Sequence, residues 1–196
     1  MDFEYLFELL CGGVVKGSIY ALIALGYTMV YGIIQLINFA HGEVYMIGAF
    51  VAFIVAGILT LTGYNGMTVL VLAAVVAVIY AAAYGYTLEK IAYRPLRNAP
   101  RLSPLISAIG ASIFLMNYVQ LAQTPDFLPF PELVTDFEFL EPISRYMSSV
   151  DVVILAVTAV TMTALTVLIK YTRIGKAMRA TQQDQVMARL VGINVD

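Results

Sequence analysis

Charge is what this 196-residue sequence has least of. Only 12% of its residues are Asp, Glu, Lys or Arg, about half the ~25% of an ordinary globular domain. That scarcity argues against a soluble enzyme, a disordered segment and a nucleic-acid-binding module, the last of which needs a clustered basic surface. A single cysteine, Cys11, excludes an internal disulfide, and there is no spaced Cys/His set for a metal. GxxxxGK[ST], HExxH and GxSxG elements are also missing, so the chain does not bind and hydrolyse ATP in the P-loop manner. No catalytic group, metal or cofactor is expected. What remains is apolar: 61% hydrophobic residues and a mean hydropathy of +0.85. These are the proportions of an integral membrane protein.

Charge-free stretches set the spans. Gly17–Ala40 is one, and Val44–Leu88, at 45 residues, is too long for one crossing. It would reach about 67 Å against a hydrocarbon core of about 30 Å. Thr60-Leu-Thr-Gly-Tyr-Asn-Gly66 breaks it with turn residues. The spacing predicts an all-α, polytopic transmembrane helix bundle with spans near 10–40, 44–62, 67–88, 102–125 and 152–169. Continuous rather than alternating apolar runs favour helices over a β-barrel. The first segment is no cleavable signal peptide, because Asp2, Glu4 and Glu8 stand where basic residues belong. Residues 1–40 leave two readings open: one helix with a polar start, or a half-helix followed by a full span, which would reverse the N-terminus.

Orientation follows Lys and Arg. The loop Glu89–Arg101 holds Lys90, Arg94, Arg97 and Arg101 against Glu89 alone, and the tail after Ile169 is similarly basic. Between them, Asp126–Asp151 holds six acids and one arginine, Arg145. The first two regions are expected to be cytoplasmic and the acidic one external. Counting back puts the 60–66 turn outside, residues 38–43 toward the inside and the N-terminus outside.

Between Glu8 and Glu89 the only formal charges are Lys16 and Glu43, with His41 a possible third. Ionisable groups near a span are costly and therefore functional candidates. Asn38 and His41, three apart, would share a face on a helix. Gly42 permits a break, and a helix restarting at Glu43 would offer its positive end to an anionic substrate group, with Glu43 left for an ammonium. The plainer reading is a cytoplasmic turn whose Glu43 stabilises the next helix start. Lys16 is expected to snorkel to an interface.

Small residues, the Gly13–Gly17 GxxxG and Ser107 to Ser112, suggest close helix contacts. Tyrosines at span ends, such as Tyr84, Tyr86, Tyr93 and Tyr171, are candidate interface anchors, some of them core residues instead. The tail Gly175–Asp184 reads as a short basic helix and then a corner. Asp184 can cap a second helix in which Val186/Leu190 and Met187/Val191 pair at i,i+4, ending at Gly192. Such an element could lie on lipid or dock in a protein groove; exposed Gln182, Gln183 and Gln185 favour a protein.

The run Ala21 to Gly48, containing Asn38-Phe-Ala-His-Gly-Glu43, resembles the LivH-type permeases of bacterial branched-chain amino-acid ABC transporters. Ala92-Tyr-Arg-Pro-Leu-Arg97, Leu105 to Phe114, Arg173 to Ala180 and Leu190 to Asn194 carry the same resemblance, which runs over nearly the whole chain. It implies a single permease domain over 1–196, paired in the inner membrane with a second, homologous permease. Two cytoplasmic ATPases and a periplasmic binding protein for Leu, Ile or Val would complete the complex, with no nucleic-acid partner. On that basis 174–193 is a coupling element, with Gly175, Arg179, Ala180, Leu190 and Gly192 its contact residues. Asn38, His41, Gly42 and Glu43 would line the substrate pathway. Family members continue past Gly-Ile-Asn194 with further helices, so a C-terminally shortened chain is expected. A urea or short-amide permease of the same family is the alternative within transport. A non-transporting membrane scaffold is the alternative from another class.

Overall fold

The computed structural model describes residues 3–34, 38–96, 99–100, 102–126, 128–134 and 147–193, and all regular structure among them is helical. Helix α1, Phe3–Ile34, is a single uninterrupted helix of 32 residues, so the half-helix alternative is not adopted. It stops short of the expected boundary at 40 because Asn38 builds a turn. Its side-chain oxygen accepts the Ala40 N–H at 3.0 Å, and its carbonyl accepts the His41 N–H at 3.2 Å. Asparagine competes with the helix ladder in this way. Arg97, Arg101 and Arg145, used above to assign orientation, lie outside the described residues.

Helix α2, His41–Thr60, and helix α3, Gly66–Leu88, form the expected hairpin. Gly63, at φ +76°, supplies the left-handed turn residue, and Asn65 caps Met67 N–H at 3.2 Å. Helix α3 does not end where the charges begin. It runs on through a π-turn, Glu89–Tyr93, and a 3-10 turn, Arg94–Leu96, until Pro95 removes a donor from the ladder. Helix α4, Leu102–Ala122, ends three residues early at the approach to Pro125. Helix α5, Ser149–Tyr171, opens with a reciprocal capping box between Ser148 and Asp151. Helices α6, Arg173–Gln183, and α7, Gln185–Leu190, make the expected corner, with Asp184 accepting from the N–H groups of Val186 and Met187 at 2.8 and 3.0 Å. Helices α1 to α5 are each long and apolar enough to cross a membrane.

The chain divides into two compact units. One comprises residues 1–35 and 136–196, where α1 lies against α5 and α6. The other comprises residues 36–135, built on α2, α3 and α4. There the hairpin closes on small residues: Ala56 and Ala73 are buried beside Val69, and a Cβ on Gly48 would stand 3.5 Å from that of Ala81. Leu133 seals this cluster, its carbonyl lying where a side chain on Gly66 would have to be.

Hydroxyls along the helices bond back to carbonyls one turn earlier, as Thr60, Thr87, Thr161, Thr163 and Thr166 do at 2.7 to 2.8 Å. Among the described residues no buried side-chain nitrogen or oxygen lacks a partner, which is the condition lipid imposes. The GxxxG expectation fares differently. Side chains built on Gly13 and Gly17 would meet nothing within 4 Å, so that stripe makes no close approach within the described chain.

Candidate functional site

The turn before α2 is held from two sides. Tyr93, carried inward by the π-turn, donates its hydroxyl to Asn38 Oδ1 at 2.6 Å, the same oxygen that accepts Ala40 N–H. Ala40 is wholly buried against Ile47, Leu115 and Val119. Asn38 therefore lies in the turn, while His41 is the first residue of α2, and the helical face they were expected to share does not exist. The chain break also falls before Gly42, which sits inside the first turn of α2.

Glu43 reaches across to α4, where its Oε1 accepts the Ser112 hydroxyl at 2.9 Å. Ser112 is about ten residues into α4, or about 15 Å along its axis. Ser107, lower on the same helix, donates to the Ala92 carbonyl at 3.1 Å. These contacts set α2's first turn against the middle of α4, about 7.5 Å along that helix from the level of Ala92. Glu43 thereby places a negative group at the positive end of α2 and keeps a second carboxylate oxygen for a cationic partner.

Glu43 belongs to a longer stripe. Met46, Phe50 and Phe53 follow it at steps of three, four and three, so all four share one face of α2. At the far end this face lines a cavity of about 360 Å³, walled opposite by Val119 and rimmed by Gln120, Thr124 and Asp126. Phe130 closes on Phe53 edge to face, with ring centroids 6.4 Å apart. The Asp126 carboxylate accepts the Thr124 hydroxyl at 3.1 Å.

In the other unit, the five coupling candidates separate by what they touch. Gly175 is buried in the elbow between α5 and α6, where a Cβ would collide with the Ile169 and Leu168 carbonyls. Arg179 turns back to α5, its guanidinium bonding the Ile169 and Lys170 carbonyls at 2.7 and 3.2 Å. It thus closes two of the acceptors a helix C-terminus leaves open. Ala180 is half-buried, and Gly192, at φ +83°, ends the corner in a left-handed conformation. Leu190 alone of the five presents an apolar side chain outward. Together with Val186, Met187 and Val191 it forms a stripe in which every member is 60–76% exposed.

The tyrosines divide too. Tyr86 and Tyr171 are exposed, each with a lysine ammonium over its ring, whereas Tyr84 joins the core around Ala40 and Tyr93 holds the turn. By sequence alone Tyr93 is only a candidate anchor and Ser112 only a small residue. Their partners are 55 and 69 positions away, and no local spacing links them.

Residues 9–196 match the protein family described as branched-chain amino acid transport system / permease component. The chain is 48% identical over its whole length to the high-affinity branched-chain amino acid transport system permease protein LivH of Escherichia coli K12 and to that of Salmonella typhimurium, spanning 65% of each. It is 47% identical to the corresponding permease protein BraD of Pseudomonas aeruginosa, with 98% of the chain aligned to 64% of that protein. The chain thus spans just under two thirds of the length of these relatives. No solved structure matches it.

Proposed function

We propose that this chain, which belongs to the permease-component family of branched-chain amino acid transport systems, is a pore-forming subunit of an ATP-driven importer for leucine, isoleucine or valine. It is a multi-pass protein of the bacterial inner membrane. Residues 1–196 act as one permease domain, and the chain itself performs no covalent chemistry. It works beside a second, homologous permease and receives its substrate from a periplasmic binding protein. Two cytoplasmic ATPases drive it through the α6–α7 corner. The basic segments 89–101 and 170–189 face the cytoplasm and the acidic 126–151 segment faces outward, in keeping with the positive-inside rule.

The observation that carries this reading is the α6–α7 corner. A transport subunit without a phosphate loop must receive motion through contacts, and the corner joins an exposed apolar stripe to a rigid mount. Arg179 and Gly175 fix α6 to α5, and Val186, Met187, Leu190 and Val191 face outward. The test is Leu190→Asp in the assembled transporter. Burying an unpaired carboxylate costs several kcal/mol, and about 1.4 kcal/mol already weakens association tenfold. ATPase co-purification and leucine uptake are expected to fall together, with membrane insertion intact. Full ATPase recovery would instead assign the stripe to lipid and favour a scaffold.

A further inference from the structure

We infer that the cavity between the outer halves of α2 and α4 is a low-affinity vestibule for a zwitterionic amino acid with an apolar side chain. The inference rests on the transport reading above and adds a site to it.

Three observations meet there. The first is continuity. Glu43, Met46, Phe50 and Phe53 lie on one face of α2, with Glu43 bonded to Ser112 at the inner end and the cavity open at the outer end. The second is composition. The walls are Met46, Phe50, Phe53 and Val119, but the rim carries Gln120 and Asp126. An apolar floor with a few convergent polar groups is the general form of a small-molecule site. A fatty acyl chain would gain nothing from that rim. An α-amino acid would place its side chain on the aromatic floor, its ammonium at the Asp126 carboxylate and its carboxylate at the Gln120 amide. The third is size. At about 360 Å³ the space lies at the small end of the usual ~300–1,000 Å³ range for ligand pockets, which suits a single amino acid. The rim belongs to the start of the acidic segment, the side from which substrate arrives.

The site predicts protection from chemical labelling. In the assembled transporter with Cys11→Ser, Ala49→Cys puts a thiol on the cavity wall. An impermeant maleimide added from outside should label it, and L-leucine should slow that labelling while L-aspartate does not. At leucine five times its dissociation constant the slowing is about sixfold, from the factor 1 + [L]/Kd. Adding Asp126→Asn should raise the leucine needed for the same protection by tenfold or more, roughly the loss of one good polar contact. Should Ala49→Cys fail to reach the membrane, Leu128→Cys reports from another residue lining the cavity. Leucine uptake is measured in the same cells. Uptake without protection overturns the vestibule and leaves the transport reading standing, as does equal protection by aspartate. Absence of leucine uptake by the unmodified assembled transporter strikes the transport reading instead.

Discussion

Arg179 offers the sharpest test of how the cytoplasmic corner is built. Its resemblance-based role is contact with an ATPase, but its guanidinium bonds the Ile169 and Lys170 carbonyls at the end of α5. Replacing it with Met keeps the aliphatic stem and removes both bonds. A hydrogen bond to a charged group is worth about 1.5–3 kcal/mol, and a cation at a helix C-terminus adds about 0.3–1 kcal/mol. The longer bond is exposed, so the lower ends apply and the expected loss is about 2 kcal/mol. At about 2–4 °C per kcal/mol for a chain of this size, Arg179→Met should lower the melting temperature of the detergent-solubilised permease by about 4–8 °C. Arg179→Lys retains the charge but not the planar fork and should fall between the two. Thermal unfolding followed by size-exclusion recovery measures this directly, with ATPase co-purification scored on the same samples below the transition. A Met variant that melts within about 1 °C of the parent yet loses its ATPase would refute the reasoning, because Arg179 would then be meeting the partner and not α5.

Removing the Tyr93 hydroxyl with Tyr93→Phe should cost about 0.5–1.5 kcal/mol, and combining it with Asn38→Ala should cost less than the two separate losses summed; full additivity in thermal unfolding would deny the contact. Glu43→Gln retains an acceptor for Ser112 but loses the charge, so leucine uptake should drop at least about tenfold at unchanged membrane abundance, while Ser112→Ala has a smaller effect; normal uptake would return Glu43 to a helix-start role. A cysteine at Gln123 should react with an impermeant reagent added to intact cells and one at Ala99 should not; labelling of the latter would invert the assigned topology.

Local features were legible in the sequence because their causes are local. The 60–66 turn needs only its glycines and Asn65, and the Asp184 corner needs only a cap and a left-handed residue at Gly192. The end of α1 was misread because an apolar run through Phe39 and Ala40 hides a turn that depends on Asn38's own side chain. The π-turn at Glu89–Tyr93 was invisible for a related reason: charges mark where lipid ends, not where helical hydrogen bonding ends. For the candidate site, residue types were readable and partners were not. Glu43 stands out as a charge near a span, but Ser112 and the Asp126 rim are joined to the α2 face, and Tyr93 to the turn before it, only by tertiary contact. Gly175 and Arg179 stood out as motif residues, and only the fold separates those that mount the corner from those that face outward.

The length of α1 makes bilayer thickness an input to this protein. If Glu4 and Glu8 stay among the headgroups and Lys16 snorkels up to them, the helix from Leu9 to Ile34 still measures about 39 Å against about 30 Å of hydrocarbon. Such a mismatch is relieved by leaning about 40° from the normal, the upper end of what membrane helices adopt, or by projecting into water. A thicker bilayer would let α1 stand more upright, and a thinner one would force it over. Because α1 lies against both α5 and α6, its lean is felt at the elbow where Gly175 leaves no slack. Reconstitution in bilayers of shorter or longer acyl chains is therefore expected to change the thermal stability of the corner even with no partner on its cytoplasmic face.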